Sequence, residues 1–229
     1  MTAIATDAGV RLAVGLPRHG KTHGARREVF AFVRSHPCIV IDRTYEWRRP
    51  PGSLVPAEIQ GVTKRASTVA QAAARIDAGA RLVVISTSEN VEEMAEQACR
   101  WARFYAGRAG VMISEAHHAW PVHKPLGPFA MDCVTAWRHF DVAMWVDTQR
   151  LALLNRTFDL SQTIRVYSAP DEDADRLRRI GGADLVRAVR ECGLRNAPRE
   201  FGGRGEPGWH VLLREGVRPK RYEPTRGEP

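Results

Sequence analysis

Apolar residues along the chain fall into short unbroken runs, separated by longer stretches in which they recur every three or four positions. The runs are Arg11-Leu-Ala-Val-Gly15, Pro37-Cys-Ile-Val-Ile41 (ending in Asp42), Arg81-Leu-Val-Val-Ile-Ser86, Gly110-Val-Met-Ile-Ser114, Val142-Ala-Met-Trp-Val146 and Thr163-Ile-Arg-Val-Tyr-Ser168. Each has strand length. The run from Arg81 to Ser86 is apolar on both faces, as a parallel sheet buried between helices requires. Between the runs, helical spacing places Ala25, Val29 and Phe32/Val33 on one side of a helix from about Lys21 to Arg34, and Val69, Ala72/Ala73 and Ile76 on one from Thr68 to Ala78. Asn90 is positioned to cap a third helix that buries Val91, Met94/Ala95, Ala98, Trp101/Ala102 and Tyr105. A fourth runs from Phe129 to Phe140, and residues 171–192 are helical with a break at Gly181-Gly182. Loops are predicted at Arg48-Arg-Pro-Pro-Gly-Ser, at 121–128 and at 195–208, and a small hairpin from Trp209 onward. Alternating strands and helices predict an α/β fold with a mainly parallel sheet.

Length fits one domain, residues 1–222 of 229, followed by a disordered tail at 223–229. No apolar run approaches the roughly 18 residues of a membrane span. The start, Met1-Thr-Ala-Ile-Ala-Thr-Asp, has neither the basic residues nor the apolar core of a secretory signal. A cytosolic protein is expected. Cys38, Cys99, Cys133 and Cys192 are too dispersed for a zinc site or disulfide framework and are read as buried thiols. The +8 net charge is compatible with a polyanionic partner, although an arginine-rich coding bias would give the same balance.

Chemistry enters with Gly15-Leu-Pro-Arg-His-Gly20-Lys21-Thr22, the G-x-x-x-x-G-K-[ST] spacing of a phosphate-binding loop between strand and helix. Gly15 and Gly20 let backbone N–H groups curl round a phosphate without Cβ clashes. Lys21 brings a charge to the β/γ-oxygens, and Thr22 offers a hydroxyl to Mg²⁺. Pro17, Arg18, His19 and His23 complete the expected nucleotide cradle, against which the next helix sets its partly positive N-terminus. Hydrolysis also needs a base near the terminal phosphate. Glu115 follows four strand residues and is the candidate. Ser114 stands where a metal-holding Asp is expected; its hydroxyl can accept from a Mg²⁺-bound water but brings no charge. In Trp145-Val-Asp147-Thr148-Gln149-Arg150, the Gln149 amide can bond a γ-phosphate or the attacking water. His117, His118 and His123 lack a cysteine or second carboxylate at ligand spacing and read better as capping or nucleotide-proximal residues.

Together these pieces resemble the FtsK–HerA superfamily of DNA-pumping ATPases, most of all the small viral genome-packaging members. The resemblance runs from about residue 11 to 190 and rests on the P-loop, Ile41-Asp42-Arg-Thr-Tyr45-Glu46, Met112-Ile-Ser-Glu115-Ala-His117 and Arg138-His-Phe-Asp-Val142 leading into Thr148-Gln149-Arg150. It implies a single RecA-like domain that binds ATP and Mg²⁺ and assembles into a homo-oligomeric ring, commonly a hexamer. Catalysis would use Glu115, Lys21, Gln149 and an arginine donated across the subunit interface, with Arg138 the first candidate and Arg150 the second. Double-stranded DNA and capsid vertex proteins are the implied partners, and Lys64-Arg65, Arg48-Arg49 and Lys124 are loop cations able to meet DNA phosphates. The alternatives are a P-loop nucleotide kinase, with Arg195, Arg199 and Arg204 as lid arginines, and a nucleotide-binding assembly protein with little turnover.

Overall fold

Runs that are apolar on both faces need cover on both faces, and the chain supplies it by laying helices on each side of one sheet. The computed structural model describes residues 8–45, 47, 57–199, 203–206, 208–214 and 217–222. Seven strands run parallel: β1 (Gly9–Val14), β2 (Cys38–Asp42), β3 (Thr63–Ala66), β4 (Leu82–Ser86), β5 (Ala109–Ile113), β6 (Val142–Thr148) and β7 (Thr163–Val166). The expected hairpin, β8 (His210–Arg214) with β9 (Val217–Tyr222), continues the sheet antiparallel to β7. Across the sheet the order is β3-β4-β2-β5-β6-β1-β7-β8-β9.

Alternate residues of each strand feed two separate cores, as the two-residue period of a strand dictates. On one face Val40, Val84, Met112 and Trp145 pack against Val29 and Phe32 of α1 (Lys21–Phe32) and Ile59 of α2 (Ala57–Gln60). On the other, Leu12, Ile39, Ile85, Val111 and Met144 pack against α3 (Val69–Asp77), α4 (Val91–Phe104), α5 (Pro128–Thr135) and α7 (Ala174–Asn196). α7 is kinked at Gly181 and at Gly182, whose φ of 77° suits a residue without Cβ, so the expected break is present.

Several elements differ from their expectation. β3 is an additional strand, a polar edge with no apolar run to announce it, and it places Lys64 and Arg65 in a strand and not a loop. The helix expected from Phe129 to Phe140 is two, α5 and α6 (Trp137–Phe140), because Ala136 leaves helical geometry at φ −121°. Asn90 begins α4 in left-handed geometry and its side chain makes no capping bond; Glu92 and Glu93 in the first turn favour that helix end instead. Two short 3₁₀ segments, Leu151–Leu153 and Arg156–Leu160, fill the path from β6 to β7. The predicted loop at 48–53 and the tail at 223–229 lie outside the described residues. The difference that matters most is in β6, which runs to Thr148 and so draws Asp147 into the sheet.

Candidate nucleotide-binding site

Parallel strands all end on one side of the sheet, and four such ends converge here. β1 stops at Val14 and the chain turns through 15–20 into α1. Gly15 is pinned to β6 by its N–H donating to Thr148 O at 3.0 Å, and Leu16 N–H donates to Ser168 Oγ at 2.9 Å. A side chain at 15 would put its Cβ 3.0 Å from Tyr167 Cβ, so only glycine fits without displacement. Gly20 is left-handed at φ 92° and Arg18 at φ 65°, which gives the turn its curl. Pro17, Arg18 and His23 are exposed, Thr22 is half-buried, and His19 is buried with its Nδ1 unpartnered among the described residues.

The first-turn N–H groups of any helix have no partner within it. Among the described helices of eight residues or more, four carry a capping acceptor or an acid at this end. Thr68 caps α3, Glu92 and Glu93 stand in the first turn of α4, Glu96 accepts from Phe129 and Ala130 N–H at the start of α5, and Asp175 stands in the first turn of α7. α1 has neither a capping side chain nor an acid in its first turn. Its N-terminus is left for an anion, as phosphate-binding helices are.

Lys21, the first residue of α1, crosses to two other strand ends. Its Nζ donates to Glu115 Oε1 at 2.5 Å and to Asp147 Oδ1 at 3.1 Å. Glu115, just past β5, is 3% exposed and left-handed at φ 51°. That unusual backbone is held by its own N–H, which donates to Asp147 Oδ1 at 2.9 Å. Gln149 reaches the same carboxylate twice, through its N–H to Oε2 at 3.3 Å and its Nε2 to Oε1 at 3.0 Å. His117 Nδ1 stands 2.8 Å from Thr148 Oγ1 and 3.5 Å from Glu115 Oε2. Ser114 Oγ accepts from Arg43 N–H at 2.9 Å, tying the end of β5 to the loop after β2.

One ammonium therefore faces two carboxylates. Burial alone would lower the Lys21 pKa, yet the charges of Asp147 and Glu115 outweigh it and hold the ammonium above its ordinary value. Burial, followed by the neighbouring His118, Lys21 and Arg43, pulls His117 down to about 4, so its imidazole is neutral at pH 7. These residues fit a magnesium–nucleoside triphosphate: an uncapped helix end and glycine turn for phosphates, and the hard oxygens of Thr22, Ser114 and Asp147 for Mg²⁺.

In the sequence pattern Asp147 stands only as part of a polar strand tip. The signal that would have singled it out is a carboxylate continuing an otherwise apolar buried run. Arg138 is not brought to this site: it is exposed on α6, ahead of β6 and hence at the opposite end of the sheet, and stacks on Trp137 at 4.8 Å. Arg150 is half-buried beyond β6, near Asp173. Lys124 is paired with Glu92 at 2.6 Å, and Arg48-Arg49 lie outside the described residues. Arg195 stacks on Trp209 at 4.0 Å, and Arg199 Nε donates to Arg204 O at 3.4 Å, which folds these arginines onto the end of α7.

No protein-family model matches the sequence, and no curated protein matches it either. Solved structures do match in fold. The genome-packaging NTPase B204 from Sulfolobus turreted icosahedral virus 2, solved in complex with AMPPCP, superposes with a TM-score of 0.66 over 96% of this chain and 98% of its own, at 14% identity. B204 from Sulfolobus turreted icosahedral virus, a DNA-packaging ATPase, gives 0.63 over 95% and 98%, also at 14% identity. The fold is that of the viral genome-packaging ATPases. VirB4 of Thermoanaerobacter pseudethanolicus is a more distant structural neighbour, with a TM-score of 0.54 over 93% of this chain and 88% of that one, at 11% identity. Because the packaging-ATPase fold is matched over nearly all of both chains, the shared architecture is not confined to the P-loop and its neighbouring strands. No described helix is long and apolar enough to cross a membrane.

Proposed function

We propose that this protein is an ATP-hydrolysing motor of the FtsK–HerA superfamily that translocates double-stranded DNA, packaging a viral genome into its capsid. The observation that carries the reading is the 2.5 Å contact of Lys21 Nζ with Glu115 Oε1. It brings the phosphate-binding cation, the base and the Gln149 amide to one point from three separate strand ends.

In this reading Lys21 exchanges its carboxylate partners for the β/γ-oxygens of ATP, while the N–H groups of the turn and of α1 take the remaining phosphate charge. Glu115, released from the ammonium, accepts the proton of the attacking water, and Gln149 orients that water. His117, neutral and bonded to Thr148, keeps the strand tip in place without adding a competing cation. Thr22 and Ser114 would hold Mg²⁺, which would supply charge neutralisation to the triphosphate. Arg138, exposed and remote from its own site, is assigned to the site of the next subunit in a hexameric ring. Work on DNA takes place in the host cytoplasm, at the capsid vertex, and the net charge of +8 favours the polyanionic cargo.

The test is ATPase rate with and without duplex DNA, together with mass in solution with and without ATP. The motor predicts DNA-stimulated hydrolysis by a ring, abolished in Lys21→Ala. A monomer whose ATPase ignores DNA refutes it, and phosphoryl transfer to a nucleotide would assign a kinase.

A further inference from the structure

Asp147 is 1% exposed and stands in a strand whose other residues are all buried. An isolated ionised carboxylate does not persist in such a place unless it is paired. Its Oδ1 accepts both from Lys21 Nζ and from Glu115 N–H. One strand away, at the end of β5, position 114 carries only a hydroxyl, and that oxygen already accepts from Arg43 N–H. The end of β5 brings no charge at position 114, and the end of β6 beside it brings a buried carboxylate.

We propose that the metal-side carboxylate of this site has moved one strand over, from the end of β5 to the end of β6, so that Asp147 supplies the negative charge that Ser114 lacks. The inference rests on the site being a Mg²⁺–ATP site. Charge balance supports it. Lys21 is the only cation hydrogen-bonded to Asp147 and Glu115 among the described residues. When Lys21 turns to phosphate oxygens, two buried carboxylates lose their shared counter-charge, and a divalent cation arriving with the triphosphate restores it. The same side chain tethers the left-handed backbone of Glu115, so Asp147 is also a positioning residue for the base. Asparagine keeps an acceptor for the Glu115 N–H and removes the charge, which separates the two jobs.

The experiment compares wild type, Asp147→Asn, Ser114→Asp and the double variant. It reads melting temperature, affinity for a fluorescent ATP analogue across a Mg²⁺ titration, and ATPase rate. Loss of an outer-sphere carboxylate costs about 10–100-fold in metal affinity. Asp147→Asn should therefore raise the Mg²⁺ concentration for half-maximal nucleotide binding by about tenfold or more, while Mg²⁺-free affinity, for which Asp147 only competes with phosphate for Lys21, should not fall. Adding Ser114→Asp should recover most of that loss, which a purely structural role for Asp147 would not allow. If Asp147→Asn alone does not fold, the double variant decides: binding at wild-type Mg²⁺ concentrations supports the relocation, and its loss overturns it. An unchanged Mg²⁺ requirement in a folded Asp147→Asn protein also overturns it. A wild-type protein that does not bind ATP would instead remove the proposed function.

Discussion

Replacing Lys21 by Met removes a buried cation while keeping most of its length, and the consequence for stability follows from the count of charges around it. At an effective dielectric near 20, contacts at the observed separations attract by about 5–7 kcal/mol each before desolvation is subtracted. Desolvation returns most of that, but deleting one partner of a buried ion pair still costs about 3–5 kcal/mol because the other partner is left uncompensated. Lys21→Met leaves Glu115 and Asp147 facing each other without a counter-ion, so it should lose about 3–5 kcal/mol at pH 7. Glu115→Gln leaves a neutral Lys21–Asp147 pair and should stay within about 1 kcal/mol of wild type. Sign distinguishes the two further. Burial already holds the Asp147 pKa above its ordinary value with Lys21 opposing that rise, so without Lys21 the deficit is fully present at neutral pH and shrinks as pH falls through the raised value. Urea unfolding followed by circular dichroism at pH 5, 6 and 7 measures all of this. A Lys21→Met protein as stable as wild type at pH 7, beside a Glu115→Gln protein that is the less stable of the two, refutes the one-cation, two-anion account.

His117 has a folded pKa near 4 against an ordinary 6.5, a depressed value, so it stabilises the fold above pH 6.5 and that contribution is lost as pH falls towards 4. The difference is worth at most about 3 kcal/mol, and His117→Asn should flatten this acid limb in pH-dependent urea unfolding. Glu115→Gln should lower kcat by about 10²–10⁴ while nucleotide affinity is retained, as read by steady-state ATPase and equilibrium binding. Arg138→Ala should bind nucleotide normally and lose about 10³-fold or more in kcat, and mixing it with Glu115→Gln subunits should restore activity at interfaces that pair an intact Arg138 with an intact Glu115. Gly110→Ala would push a methyl to 2.8 Å from Phe32 Cε1 and 3.1 Å from a Trp145 ring atom, so thermal or urea unfolding should show a loss of about 1–3 kcal/mol.

What could be read from the residues divides by the range of the interaction that fixes it. The central strands are legible because burial on both faces is itself a sequence pattern, as in Leu82-Val-Val-Ile. The P-loop is legible because phosphate binding needs glycines and a lysine at fixed local spacing. The kink at Gly181-Gly182 is a property of those two residues. β3 was not legible: Thr63-Lys-Arg-Ala is a strand only because β4 offers it a free edge, and an edge strand can be polar. Asn90 looked like a cap from its type and position, but its backbone went left-handed and the acids of the first turn took over. Asp147 was hidden for a different reason. Its partners lie 126 residues earlier and 32 residues earlier in the chain, and only sheet order brings them together.

That order also says what β6 is for. It lies between the P-loop strand and the strand of Glu115, hydrogen-bonded to both. Through Thr148 it holds Gly15, through Asp147 it holds Lys21 and the Glu115 main chain, and through Gln149 it holds the Glu115 carboxylate. On the proposed function this makes β6 the element that couples nucleotide to base. Glu115 cannot meet an attacking water while an ammonium and an amide occupy its oxygens. A triphosphate competes for the ammonium and for nothing else in the cluster, so the base is freed only when a phosphate is present to be attacked. The same substitution leaves Asp147 without its cation and ready for a metal. A site arranged in this way hydrolyses nothing until it is loaded, and the switch lies in a single lysine with more carboxylates around it than it can neutralise.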